Sequence, residues 1–362
     1  MSAAGRPRED APGHAVTALR EAEFVRLVGT ADGDALAATG LVARALAAVD
    51  TPYQASVADV PEPPATDADC VVAIGHERTG ADAALAESPV SVAAADVADD
   101  LAPDAVDPTL ALAGGVCAGA APSGRLLEAA GLERRPGVAV PTADPAEGLA
   151  ASTLVHAGFS GDEAAAASFV ERLDGDDPDR RALASAVALA AVEDAAPRAA
   201  ESVQRALRPH ETERFETLGG YADVLSALAA DRPGVGIALA LGRDVEAAAR
   251  STWRENGHRA HEALRLADTG RYDGFTVARV DAGAPLSTVA RLQFAYRSPE
   301  PVALTLADGR AAVVAADGTS VATPVREAAA ALDGRAAVRE GRGAATFDGT
   351  ASDYLEAFRE AR

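Results

Sequence analysis

The chain has 362 residues, 48% of them hydrophobic, with 33 Lys+Arg against 55 Asp+Glu and a formal net charge of −22; at roughly 100–200 residues per domain, that is two domains or three small ones. All 33 basic residues are Arg, which excludes a phosphate-loop lysine, a Schiff-base lysine and a Ser-x-x-Lys nucleophile pair. Two Cys exclude a four-cysteine zinc finger and a disulfide framework.

In chain order, residues 1–20 read as a disordered leader. Met1–Thr17 carries Arg, Glu, Asp and Pro without an apolar core, so it is no signal peptide. No run approaches the ~20 apolar residues that span a membrane, and the expected location is the cytoplasm. Residues 21–160 read as a parallel-sheet α/β domain. Phe24–Gly29 is a short strand, and Ala35–Val49 a helix with Leu36, Thr39, Ala43 and Leu46 on one face. Thr51-Pro52 ends that helix, and Tyr53–Asp59 follows as a strand. After the break PEPPATDAD, Cys70–Gly75, Val90–Ala95 and, more weakly, Thr109–Val116 read as further strands. Ligands of such sheets sit at the C-terminal strand ends. Residues 161–268 read as a helical connector, with Asp162 as an N-cap, a short strand at Gly234–Leu241 and a helix over Val245–Ala267. Residues 269–362 form a smaller α/β domain. Its strands are FTVARVD, TVARLQFAYR, PVALTLADG and AAVVAADG, then come a helix (Pro324–Leu332), a strand (Ala344–Phe347) and a closing helix (Ser352–Arg362).

Charge says little about partners here. A pI near 4.6 normally repels nucleic acid. The absence of Lys, the single Asn (Asn256), two Ile and abundant Ala fit a salt-loving, GC-rich organism. In molar KCl the Debye length is about 3 Å, so −22 reads as habitat.

Several residue groups suggest chemistry. Gly29–Asp34 lies between a strand and a helix, where carboxylates can hold a divalent metal; composition favours an Asp-Gly turn with Asp34 capping the helix. His258-x-x-His261 departs from His-Glu-x-x-His at Arg259 and Glu262 and reads as two surface histidines. His76-Glu77 reads as a solvated loop, and Cys70 and Cys117 as small buried hydrophobes in or beside strands. Gly114–Gly124 is either a backbone-amide cradle or a flexible turn. Gly158–Gly161 lacks the spacing of a nucleophile elbow.

VGTADGDALAATGLVARAL resembles the first motif of the DHH phosphoesterase superfamily in its RecJ branch, His-x-Asp-x-Asp-Gly before a helix. Asp32-Gly33 fall on the second Asp and the Gly, with Thr30 in place of the first Asp and Val28 in place of the His. VVAIG resembles the second motif, with Ala73 for its Asp and Gly75 kept; the third motif, Asp-His-His, is due after PVSVAAAD and occurs nowhere. Glu340–Phe347 resembles the family's terminal Gly-Gly-His-x-x-Ala-Ala-Gly-Phe pattern, with Arg342 for the His and Thr346 for the last Gly. LGGYADVLSALAADRPGVGIALALG and RYDGFTVARVD are similar to haloarchaeal RecJ-like proteins, and the resemblance spans Phe24–Phe358.

The resemblance implies a DHH-like α/β domain, a helical connector and a DHHA1-like nucleic-acid-binding domain. The family cuts phosphodiesters with manganese, and a two-metal site needs several carboxylates. Here Asp32 is the one ligand left from the first three motifs, and Asp34 belongs to the helix start. The expectation is therefore an inactive RecJ-like replication or repair factor without a cofactor. It would bind single-stranded DNA or RNA, and GINS with the MCM ring. Arg342, with Arg339, Gly341 and Gly343 beside it, is the expected phosphate contact. The alternatives are an active manganese- or magnesium-dependent single-strand exonuclease using Asp32 and Asp34, and a nucleotide-binding module.

Overall fold

The computed structural model describes residues 11–62, 67–76, 80–173, 179–339 and 341–362. The leader needs correction: α1 (Ala11–Glu21) is helical, and its Ala15, Val16 and Leu19 are buried against the first domain. Residues 1–10 lie outside the described residues.

β1 (Val25–Thr30) leads into α2 (Gly33–Ala48), which is buried almost all round, as a central helix must be. Gly33 is needed there, because a Cβ would lie 2.5 Å from Cys117 Sγ. β2 (Tyr53–Ala58), β3 (Cys70–Ile74) and β4 (Ala83–Leu85) complete a parallel sheet of order β2-β1-β3-β4. The strands expected at Val90–Ala95 and Thr109–Val116 are helices, α3 (Val90–Leu101) and α4 (Pro108–Cys117). Short apolar runs carry no period that separates strand from helix. In α4, Pro108 at the first turn and the Asp107 carboxylate on Leu110 N settle the matter locally.

α5 (Gly124–Ala130), α6 (Pro145–Ala151), α7 (Glu163–Glu171), α8 (Arg180–Val192) and α9 (Ala199–Ala206) follow. Next come α10 (Leu218–Asp231), α11 (Pro233–Ala240) and α12 (Glu246–Leu266). α11 replaces the strand expected at Gly234–Leu241, with Pro233 again at the helix start. The stretch read as a connector divides in two. α7 and α8 share a small core with Val138, Leu149 and Phe159. Phe215, Leu218, Tyr221, Leu225 and Trp253 instead join Leu27, Leu36 and Ile74 in the main core of the first domain.

The last part is a six-stranded mixed sheet of order β5-β6-β7-β8-β10-β9. Its strands are β5 (Asp268–Tyr272), β6 (Phe275–Arg279), β7 (Val302–Ala307), β8 (Arg310–Ala315), β9 (Arg335–Arg339) and β10 (Arg342–Thr346). TVARLQFAYR, expected as a strand, is α13 (Leu286–Leu292) with a π-helical turn, Gln293–Arg297. α14 (Ala322–Ala330) and α15 (Ala351–Glu360) cover one face, where Val277, Leu304, Val313, Tyr354 and Phe358 form a second core. β9 and β10 make an edge hairpin whose Arg339 and Arg342 pair directly across the strands. Gly341, at φ +67°, takes the left-handed conformation that the tight turn requires.

Candidate functional site

Asp32 lies just past the C-terminal end of β1, where a parallel sheet presents its ligand site. It caps α2: its Oδ1 accepts from Asp34 N at 3.1 Å and from Ala35 N at 3.0 Å. Its Oδ2 accepts from Thr30 Oγ1 at 2.8 Å. The expectation that Asp34 caps its own helix is therefore corrected. Asp34 is fully buried and reaches across to α3, accepting from Val90 N at 2.8 Å and Ser91 N at 2.9 Å. It thereby caps a helix whose own N-cap position, Pro89, offers no side-chain bond.

The two arginines expected to face a phosphate backbone turn inward instead. Arg339 Nη2 donates to Asp32 Oδ1 at 2.9 Å and Nη1 to Asp34 Oδ2 at 3.4 Å. Its side chain is 10% exposed. Arg342 Nη2 donates to the carbonyl of Cys117, the last residue of α4, at 3.0 Å. Gly341 forms the hairpin turn, and Gly343 sits in β10 between Val338 and Val313. Burial pulls the Arg339 guanidinium down, but Asp32 and Asp34 outweigh it and hold the group above its ordinary value. Burial, with Asp32 adding to it, holds the Asp34 carboxyl above the usual carboxylate range, against the pull of Arg339 and the Ser91 bonds. Burial and then Arg339 hold Arg342 below its ordinary value.

Between the hairpin and the sheet ends lies a cavity of about 100 Å³, bordered by Thr30, Asp32, Ser226, Arg291, Arg342 and Ala344. Small-molecule pockets run to roughly 300–1,000 Å³, so little room is left beside the ion pair. The manganese that the RecJ resemblance implies does not fit these residues. Every carboxylate oxygen of Asp32 and Asp34 already accepts a hydrogen bond, and a guanidinium lies against both groups. Among the described residues no three His, Cys, Asp or Glu side chains converge to hold a metal ion.

Other expectations change as well. His76 is buried, not solvated, with Nε2 3.1 Å from the Val28 carbonyl; Glu77 lies outside the described residues. His258 stands 3.5 Å from Glu163, but His261 is no surface residue. It is fully buried and stacked on His156, with the two Nδ1 atoms 3.0 Å apart. Gly114 and Gly115 belong to α4, so no cradle starts there. Cys117 ends that helix rather than a strand, and burial pushes its thiol up to about 12 and that of Cys70 up to about 11. Sequence reasoning missed His156, the long-range cap by Asp34 and the buried Asp223. Asp223 accepts from Trp253 Nε1 and Thr153 N at 2.9 Å each. A lone Asp inside an apolar helical run, as in YADVLSALA, was the available signal for the last.

A family profile described as "Uncharacterized protein rrnAC1427, C-terminal domain" matches residues 267–360. The Haloarcula marismortui protein "Uncharacterized protein rrnAC1427" is 50% identical over 375 residues and covers 100% of both chains. Among solved structures, CDC45 from Entamoeba histolytica aligns at TM-score 0.54 and 9% identity, over 96% of this chain and 97% of its own. The exonuclease RecJ bound to manganese aligns at TM-score 0.50 and 14% identity, over 97% of this chain and 92% of its own. Against RecJ of Thermus thermophilus the chain, 97% covered at 16% identity and TM-score 0.46, spans about half (51%) of that protein's length. No described helix is long and apolar enough to cross a membrane. The chain has the two-domain fold of RecJ-like DHH superfamily proteins, and it belongs to the family of the Haloarcula marismortui protein rrnAC1427.

Proposed function

We propose that this protein uses the RecJ fold without its hydrolysis, as a DNA replication or repair factor that binds single-stranded nucleic acid and a protein partner. The observation that carries this reading is the guanidinium of Arg339 lying on Asp32 and Asp34. Divalent ions that cut phosphodiesters need several free carboxylate oxygens, and these two side chains spend theirs on helix caps and on Arg339. The fold shared with CDC45 supports a replisome role. GINS with the MCM ring are the partners proposed on that likeness, and the cytoplasm the proposed compartment. The small cavity beside Asp32 disfavours a standing nucleotide pocket there, so a strand reaches Arg339 only once its bond to Asp32 opens.

The test is an exonuclease assay on 5′- and 3′-labelled single-stranded DNA and RNA, with manganese in molar KCl. An active relative and the Asp32→Ala protein serve as controls. No cleavage is expected while the active relative cuts. Cleavage abolished by Asp32→Ala overturns the non-catalytic reading. A pull-down with GINS then tests the partner.

A further inference from the structure

We propose that the Asp32–Arg339 ion pair is an interdomain latch, in which a protein cation takes the place that the RecJ fold gives to a metal. Asp32 and Asp34 belong to the first domain and Arg339 to an edge strand of the last, 307 residues from Asp32. The hairpin holds Arg339 and Arg342 side by side, and like charges so placed repel unless an anion lies between them. Asp32 supplies an anion bonded to Arg339, and its charge favours the Arg342 guanidinium too. Thr30, standing where the fold's first motif has an Asp, donates to Asp32 instead of competing with it. A carboxylate at position 30 would add a third negative charge beside one guanidinium.

The latch is buried, which gives it weight. Arg339 is 10% exposed, Asp32 20% and the supporting Asp34 0%, so salt screens the pair less than a fully exposed surface pair. A further ion pair between the hairpin and the first domain, Arg335 with Glu62, is 53% and 70% exposed and contributes little. Arg342 on the Cys117 carbonyl gives the hairpin a second anchor on α4. A buried cluster of Ala260, Leu264, Val289, Leu292 and Tyr296 joins α12 to α13, so the last part is held there by apolar packing and the latch secures the hairpin side of the cleft.

The proposal rests on the same Arg339 contact as the non-catalytic reading, but its test reads Tm rather than cleavage, so failure of one is told apart from failure of the other. Thermal melts compare wild type, Asp32→Asn, Arg339→Met and the double variant in molar KCl, each with and without MnCl2. Asn caps a helix as well as Asp, so Asp32→Asn keeps the start of α2. Met keeps the bulk of Arg339 without its charge. Each single change is expected to lower Tm by about 5 °C. The double variant falls no further than the worse single, because the second change removes a partner already lost. MnCl2 leaves the wild-type Tm unchanged. Losses that simply add would overturn the latch. So would a manganese-dependent rise in wild-type Tm that Asp32→Asn abolishes, since metal would then displace Arg339.

Discussion

Asp34 shows how one side chain is moved from chemistry to architecture. Both its oxygens serve the first turn of α3, and Oδ2 also meets Arg339. Asp34→Ala is expected to cost roughly 3 kcal/mol, since two buried amides and a guanidinium lose their acceptor together. Urea denaturation measures it, and a loss below about 1 kcal/mol would mean that α3 holds without the cap. The histidine pair makes a prediction in pH. Arg297 Nη2 lies 3.2 Å from His156 Nε2, and His261 Nε2 lies 2.9 Å from the Ser152 carbonyl. A neutral chain satisfies every position: Arg297 donates to His156, His156 to His261, and His261 to Ser152. Burial lowers His156 to about 3 and His261 to about 4. The unfolded imidazoles, near 6.5, take up protons first as pH falls. Their stabilisation is therefore complete above about pH 6.5 and drains away down to about pH 3–4. Melts across that range should show Tm falling with pH, and falling less steeply in His261→Gln.

Elements with a clear period or a clear turn were legible, and buried alanine-rich runs were not. β1, β2, β3, α2 and α12 fall within about two residues of their sequence-based bounds. α4 and α11 read as strands because apolar residues cover them on every side, leaving no polar face to mark a 3.6-residue repeat, and α3 because its first half, Val90–Ala95, is a short apolar run whose polar face starts only at Asp96. For α3 the decisive signal lay elsewhere in the chain, in Asp34; for α4 it was local, in the Asp107 cap and Pro108. Arg339 and Arg342 were legible as residues of interest. Their direction was not, because a hairpin edge gives no sign of what it faces. Packing at the α2–α4 crossing predicts that Gly33→Ala destabilises by about 1–3 kcal/mol, because its Cβ would meet Cys117 Sγ at 2.5 Å. Cys117→Ala should recover part of that loss in a chemical denaturation series.

At the scale of the whole molecule, the first domain and the last sheet close on a cavity too small for a nucleotide. Strand binding then competes with the latch: phosphates and Asp32 draw on the same guanidinium. Asp32→Asn is accordingly expected to bind a labelled oligo-dT several-fold more tightly than wild type, by fluorescence anisotropy in matched KCl. Unchanged or weaker binding would mean that Arg339 and Arg342 do not serve the strand.

The span between the latch partners also has a consequence for biosynthesis. Asp32 leaves the ribosome 307 residues ahead of Arg339. At ~5–20 residues per second, that is an interval of roughly 15–60 s. The first core is assembled largely from residues up to Trp253, so it can condense while the hairpin is still being made. During that time Asp32 lacks its counter-charge, and the nascent first domain carries an acidic notch that Arg339 neutralises only when the hairpin arrives.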